Sequence, residues 1–364
     1  MIILDGSAGE GGGALVRVAL ALSTLTHEPV KITSIRANRP SKGLKAQHMA
    51  AIELLRQCSD AKTNFVEVGS DHLIFYPGQM KKGRFEIDIG TAGSITLLLQ
   101  SVLLPALFAP GKVTFVITGG TCGKFQASVT YLDKVLLPQL ARFAKIECKV
   151  LKRGYFPAGG GVVELSVNPK IHGQKCKTII ELLDLIRADV AFFSLGTVAT
   201  LGVVRGFVNM SSDLQEGDVG GRIRGSCEQQ LKVLGVPVLF DVEYAGARSV
   251  GGEVVLAAYF GDQAACPMVV GADILLEKNV SSEEIGKRVS QRLLGLIKEE
   301  VCVDTFLLDQ LVMFAALLPG SVLRSSSVSS HTSTNIAVIE KFLPVRFDVK
   351  GGVVKVINIE KSLL

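Results

Sequence analysis

The chain has 364 residues, 48% of them hydrophobic and 20% charged, with a net charge of +5 and no charge block or low-complexity tract. That length exceeds one small core and predicts two domains or a repeated architecture, and the composition excludes intrinsic disorder. The modest positive charge suits a polyanionic ligand without requiring one.

In chain order, the start Met1-Ile-Ile-Leu-Asp-Gly6 lacks the basic region, long apolar core and cleavage site of a secretory signal, so a cytoplasmic location is expected. A glycine-rich run, Asp5 to Gly13, precedes an apolar helical stretch carrying Arg17. Residues 30–37 read as a strand, 44–57 as an amphipathic helix and 85–89 as a strand. A helix is expected over 95–108. Its apolar stretch is cut by Gln100 and Pro105 and falls short of the roughly 20 residues of a membrane span, so no transmembrane helix is expected. A strand over 112–118, a helix over 129–143 despite Pro138, and a strand over 146–151 follow.

Such alternation, with glycine clusters at the joints, indicates an α/β (α+β) protein built from repeated sheet-and-helix units. From about 182 to 277 the pattern changes. A helix over 190–199, a Ser/Asp/Gly-rich turn region over 211–221, and strands over 236–244 and 254–260 read as an inserted smaller domain. Beyond it, helices over 282–300 and 306–317 precede a hairpin, 345–349 and 353–359, turning at Gly351 and Gly352. Residues 1–181 and 278–364 then form the main domain.

Seven cysteines (Cys58, Cys122, Cys148, Cys176, Cys227, Cys266 and Cys302) are scattered without the short spacing of a zinc or redox motif and read as reduced, mostly buried thiols. Cys122, in a glycine-rich loop, is either a reactive thiol or a small residue tolerated near a turn.

Four constellations can carry chemistry. Asp5-Gly-Ser-Ala-Gly-Glu-Gly-Gly-Gly13 presents backbone N–H groups at a helix start, which suits phosphate; the same glycines also serve tight turns and close packing. Glu10 beside such a turn would repel an anion unless a divalent metal lay between them. Arg36, Arg39, Lys42 and Lys45, ending in Gln47 and His48, form either a phosphate clamp or a solvated basic loop. His331 follows two serines and precedes a helical pattern. At a helix mouth its imidazole stays neutral and nucleophilic, or it merely hydrogen-bonds the neighbouring hydroxyls. Phe306, Asp309 and Gln310, at helical spacing, share a face that either reads a base or belongs to core and surface.

Several ordered strings resemble the motifs of the RNA 3′-terminal phosphate cyclases. They are Leu4 to Gly13, Ser34-Ile-Arg-Ala-Asn-Arg-Pro-Ser-Lys-Gly-Leu-Lys-Ala-Gln-His48, Gly90-Thr-Ala-Gly-Ser94 and Ile117-Thr-Gly-Gly-Thr121. Lys152-Arg-Gly-Tyr-Phe-Pro-Ala-Gly-Gly-Gly161, Asp309-Gln-Leu311 and the run from His331 to Phe347 complete the series. The matches cover 1–181 and 278–359; the region between them stands where that family carries its small second domain.

The resemblance implies a large domain of three repeated units, each a four-stranded sheet with two helices, the third interrupted by a small α/β domain. It implies ATP and a divalent metal, Mg or Mn, as cofactors and RNA 3′-phosphate ends as partners. By resemblance His331 is the nucleophile that carries AMP, and Glu10 helps hold the metal. Arg17, Arg36, Arg39 and Gln47 bind phosphate groups, and Gln100, Phe306, Asp309 and Gln310 line the nucleotide pocket. Phe306 stands where relatives can have tyrosine, which keeps the stacking face without the hydroxyl. After Thr121 the chain reads Cys122-Gly-Lys-Phe-Gln-Ala-Ser128, in place of the family's acidic and proline-rich continuation.

Two alternatives remain. A catalytically silent relative of this fold serves in ribosomal RNA processing as a binding protein, against which the presence of His331 argues. The repeated unit also resembles that of the enolpyruvyl transferases, whose separate motifs are not found. Oligomerisation is left open.

Overall fold

The computed structural model describes residues 1–124, 126–173, 176–261 and 268–359; Cys266 lies outside the described residues. The class is α+β, as the alternation predicts, with four-stranded sheets each covered by helices. The first sheet, ordered β1-β2-β4-β3, is formed by β1 (Ile2–Asp5), β2 (Val30–Thr33), β3 (Lys62–Thr63) and β4 (Leu73–Tyr76). Its helices are α1 (Ala14–Thr26) and α2 (Ala46–Ser59). Strand β2 is shorter than its β-branched run suggests, because Ser34 and Arg36 take left-handed φ of 52° and 57° and bend the chain away from the sheet.

The second sheet has the order β5-β6-β8-β7, from β5 (Gly83–Asp88), β6 (Val113–Gly119), β7 (Ala144–Lys152) and β8 (Gly161–Pro169), with α3 (Ile95–Ala106) after its first strand. The helix expected over 129–143 is broken into α4 (Val129–Tyr131), a π-turn (Leu132–Leu136) and α5 (Leu137–Leu140). Pro138 explains the break: it offers no N–H to the Lys134 carbonyl and its ring crowds that oxygen, so the turn widens. The Tyr259 hydroxyl donates to the freed carbonyl at 3.2 Å.

Residues 190–199 are not helical, contrary to expectation. The helix lies earlier, as α6 (Ile179–Asp189), started by Thr178, whose side chain accepts from the Glu181 N–H. The chain then extends into β9 (Ser194–Leu195). Pairing with a distant strand overrides local propensity there: Phe193 is fully buried, its N–H donates to Ser321 Oγ, and its carbonyl accepts from Val322.

A further sheet, β11-β10-β12-β13, follows from β10 (Leu201–Ser211), β11 (Val238–Ala245), β12 (Gly252–Phe260) and β13 (Met268–Leu275). Its helices are α7 (Val219–Leu231) and α8 (Ser282–Lys298). Sequence reading missed β10 and α7, whose glycines look like breakers. Gly220 is instead a packing residue, since a Cβ there would meet Val242 at 2.5 Å and Tyr244 at 2.8 Å. Helix α8, which the sequence boundary at 277/278 assigns to the flanking chain, packs on α7, β12 and β13.

The last sheet joins β9 to β14 (Val322–Arg324), β15 (Val345–Lys350) and β16 (Val353–Asn358) in the order β15-β16-β14-β9, with α9 (Thr305–Ala315) and α10 (Ser330–Phe342). Read from its first strand, this order matches those of the first two sheets, and in all three the first strand runs parallel to the second. Residues 201–298 stand between its first strand and its first helix. Helix α1 packs against α3 and α10, and α10 against α9, so loops from distant parts of the chain meet at the starts of α1 and α10. Among the described residues, no helix is long and apolar enough to cross a membrane.

Candidate active site

The glycine-rich run forms the tight connection from β1 to α1. Gly11 has a left-handed φ of 60°, and a Cβ there would collide with the Asn38 side chain, so both conformation and close approach require glycine. The Glu10 N–H donates to Thr334 Oγ1 at 3.1 Å, which joins this loop to α10 across 324 residues of sequence. Ser329 caps α10, accepting from the Thr332 N–H at 2.9 Å, and His331 is the second residue of the helix.

His331 Nδ1 lies 2.5 Å from Glu10 Oε2, and the other Glu10 oxygen contacts the Arg39 guanidinium. The contact is one of proximity: among the described residues both Glu10 carboxylate oxygens are buried and have no hydrogen-bond partner. Burial pushes the His331 pKa below its ordinary value; Asp309 opposes the shift, while Arg17 and Arg39 add to it. The net direction favours the neutral imidazole. Sequence reasoning assigned Glu10 to a metal and missed its contact with His331.

Behind this pair Arg17 is buried at 8% exposure, and its Nε donates to Gln100 Oε1 at 2.7 Å. Burial, then repulsion from Arg36, pulls its pKa down to about 10. Arg36 donates to the Ser41 carbonyl at 3.0 Å, and Gln47 Oε1 accepts from the Ser94 N–H at 3.4 Å. Neither Arg17 nor Arg36 forms an ion pair among the described residues. Among the described residues a buried cation thus stands next to another cation with no acid paired to either, an arrangement that costs free energy as it stands.

Asp309 is tied to the first turn of α10. One of its oxygens accepts from Ser329 Oγ at 2.5 Å and from Thr332 Oγ1, and its backbone carbonyl accepts from Asn335 at 2.7 Å. Gln100, Asp309, Gln310 and Asn335 line one narrow cavity, floored by Leu132, Met313 and Phe314. Phe306 lies outside that lining. Its ring meets Tyr131 edge-on, centroids 6.2 Å apart, and the Arg292 guanidinium stands 5.0 Å over it. Asp304 sets this phase of α9, accepting from the N–H groups of Phe306 and Leu307 and from the Tyr131 hydroxyl. Ser329, Thr332 and Asn335 are contributors that sequence reasoning did not single out; their signal was the hydroxyl and amide side chains around His331.

Among the described residues, no group of three or more His, Cys, Asp or Glu side chains could hold a metal by itself. Cys122 is buried, and burial together with the nearby Glu253 carboxylate pushes its thiol far above the usual range, which favours the reading of a small buried residue over a reactive thiol.

The sequence profile of the RNA 3′-terminal phosphate cyclases matches residues 8–349. A protein of Pyrococcus furiosus named RNA 3′-terminal phosphate cyclase is 38% identical over 354 residues, covering 97% of this chain and 96% of its own length. One of the same name from Archaeoglobus fulgidus is 36% identical over 359 residues, 98% of this chain and 100% of its own. A third, from Methanopyrus kandleri, is 34% identical over 358 residues and 96% of each chain.

Proposed function

The chain belongs to the RNA 3′-terminal phosphate cyclase family, and from that premise we propose that it converts an RNA 3′-phosphate into a 2′,3′-cyclic phosphate at the expense of ATP. The observation that carries this reading is the approach of His331 Nδ1 to the Glu10 carboxylate beside the cationic side chains of Arg17 and Arg39.

In the first step His331 Nε2 attacks the α-phosphorus of ATP, forming an N–P bond as the bond to pyrophosphate breaks. Glu10 stabilises the positive charge that develops on the ring, as a carboxylate oriented on the far nitrogen does. An oxygen of the RNA 3′-phosphate next takes the adenylate from His331, giving RNA(3′)pp(5′)A and restoring neutral imidazole. The vicinal 2′-hydroxyl then attacks the 3′-phosphorus, loses its proton and expels AMP.

Each step is substitution at phosphorus, so positioning and charge neutralisation dominate. Arg17, Arg36, Arg39 and Gln47 supply contacts to phosphoryl oxygens. Gln100, Asp309 and Gln310 line the cavity proposed to take the nucleotide, and Phe306 lies outside its lining. A Mg or Mn ion would neutralise phosphate charge; Glu10 would be its single carboxylate ligand, with phosphate oxygens and waters completing the shell, as is usual for such ions. To take it, the carboxylate would exchange its Arg39 contact.

The test is incubation with α-labelled ATP and Mg or Mn, followed by denaturing gels. Acid-labile label on the wild type, absent from His331→Ala, is expected, and a 3′-phosphorylated oligoribonucleotide should gain a phosphatase-resistant end. A folded protein that takes no label would instead be a non-catalytic RNA-associated relative.

A further inference from the structure

His48 stands between the basic loop and the start of α1. It is buried at 1% exposure, and its Nδ1 accepts the Lys45 backbone N–H at 3.0 Å as part of the cap of α2. An Nδ1 that accepts leaves the ring proton on Nε2. That Nε2–H is buried and, among the described residues, has no hydrogen-bond partner. Its direction is given by Gly13, the residue before α1: a Cβ built there would stand 2.6 Å from His48 Nε2 and 3.0 Å from Arg17 Nη1. His48 Nε2 and Arg17 Nη1 therefore both lie close against Gly13, the glycine from which α1 starts. The 13-residue helix α1 has no side-chain cap, so the N–H groups of its first turn add to the same point.

A buried donor without an acceptor costs free energy, and a site that retains one beside two unpaired cations is complete only when an anion enters. Burial, with Arg17, Arg36 and Lys45 around the ring, drives the His48 pKa down to about 3, so the ring adds a directed N–H and no charge.

We propose that His48 is a neutral donor to a phosphoryl oxygen bound at the start of α1, alongside Arg17 and Arg36. The inference rests on the cyclase reading for its ligand class. Two sources share that chemistry, the pyrophosphate portion of the nucleotide and the terminal phosphate of the RNA.

Two substitutions separate the ring's two roles. Asparagine places an oxygen near the Nδ1 position, keeping the α2 cap and losing the Nε2 donor; glutamine places an amide N–H near Nε2. In the full-length chain, inorganic pyrophosphate affinity measured by calorimetry should fall about tenfold or more in His48→Asn and return to within about threefold in His48→Gln, the range for one hydrogen bond to a charged group. A parallel titration with a 3′-phosphorylated oligoribonucleotide identifies the source, because the ligand whose affinity falls is the one His48 holds. Unchanged affinity for both in folded His48→Asn overturns the proposal. Should that variant not fold, nitrogen-15 imidazole spectra of the wild type decide: a pyrophosphate- or oligonucleotide-induced shift at His48 Nε2 supports the contact, and no shift with either removes it. Adenylate labelling of the same wild-type sample keeps the two readings apart. His48-dependent anion binding without label would leave the anion site and remove the cyclase; label with His48-independent binding would do the reverse.

Discussion

At the seam between the second sheet and the β10–β13 sheet, Arg153 is buried with Glu253, donating to it at 3.0 Å and to Glu243 at 2.8 Å. Thr130 and Asn209 complete the Glu253 environment at 2.9 and 3.3 Å, and Asp273 accepts the Ser128 N–H at 2.6 Å. At the start of α1, Arg17 is about as buried as Arg153, yet among the described residues its side chain bonds the neutral Gln100, and the charge that acts on its pKa is another cation, Arg36. Burial is the same in both places; what differs is whether the protein supplies the counter-charge. The seam is polar because it joins two sheets; in the cleft, on the proposed reading, the missing counter-charge is that of a phosphate. The buried charges worth suspecting of function are those left unneutralised.

Four substitutions test that contrast, beginning with the largest effect. His331→Ala should abolish covalent adenylate, a loss of more than about 100-fold on a gel, while the unfolding midpoint hardly moves, because the side chain is 44% exposed. Arg153→Met should do the opposite. It leaves Glu253 charged and uncompensated in the interior, and a loss of about 3–5 kcal/mol in urea unfolding is expected.

Asp273→Asn should stabilise the protein in a pH-dependent way. Burial, with Glu253 adding to it and the Ser128 and Arg292 contacts opposing, raises the Asp273 pKa from 3.8 to about 7. The folded state therefore holds a proton that the unfolded state releases between pH 3.8 and 7, and wild-type stability declines as pH rises through that window. The amide does not titrate, so the variant's advantage should grow up to pH 7, reach a few kcal/mol at most, and stay level above it; a gain constant from pH 4 to 8 would contradict the assignment. Last is Arg17→Met. Removing an uncompensated buried cation should shift unfolding by less than about 1 kcal/mol, while the KM for ATP rises tenfold or more. Substantial unfolding of this variant would show that Arg17 is structural and would erase the contrast.

Much of the fold was legible in residue pattern. The C-terminal hairpin follows from Gly351 and Gly352, which take φ of 54° and 79°, the left-handed values that a two-residue turn needs. Strand β6 and helix α3 fall within a residue or two of their apolar runs. Helix α7 was illegible because Gly220 serves close packing on β11, and the 190–199 segment because a strand from a distant part of the chain captured it. In the site, the types at Glu10, Arg17, Arg39 and His331 pointed to phosphate chemistry. The turning of Phe306 out of the cavity did not show, since i, i+4 spacing places two residues on one helix face without saying which cavity their side chains enter.

By itself the sequence determined which residues could do chemistry and where most strands and helices run, because donors, acceptors and hydrophobic period are local properties. Only the tertiary structure decided their partners: that Glu10 meets His331, that Asp309 accepts from Ser329, and that Arg153 is neutralised while Arg17 is not. Charge compensation depends on distance in space, and the loop at α1 and the turn at α10 are brought together by helix packing that no local period encodes.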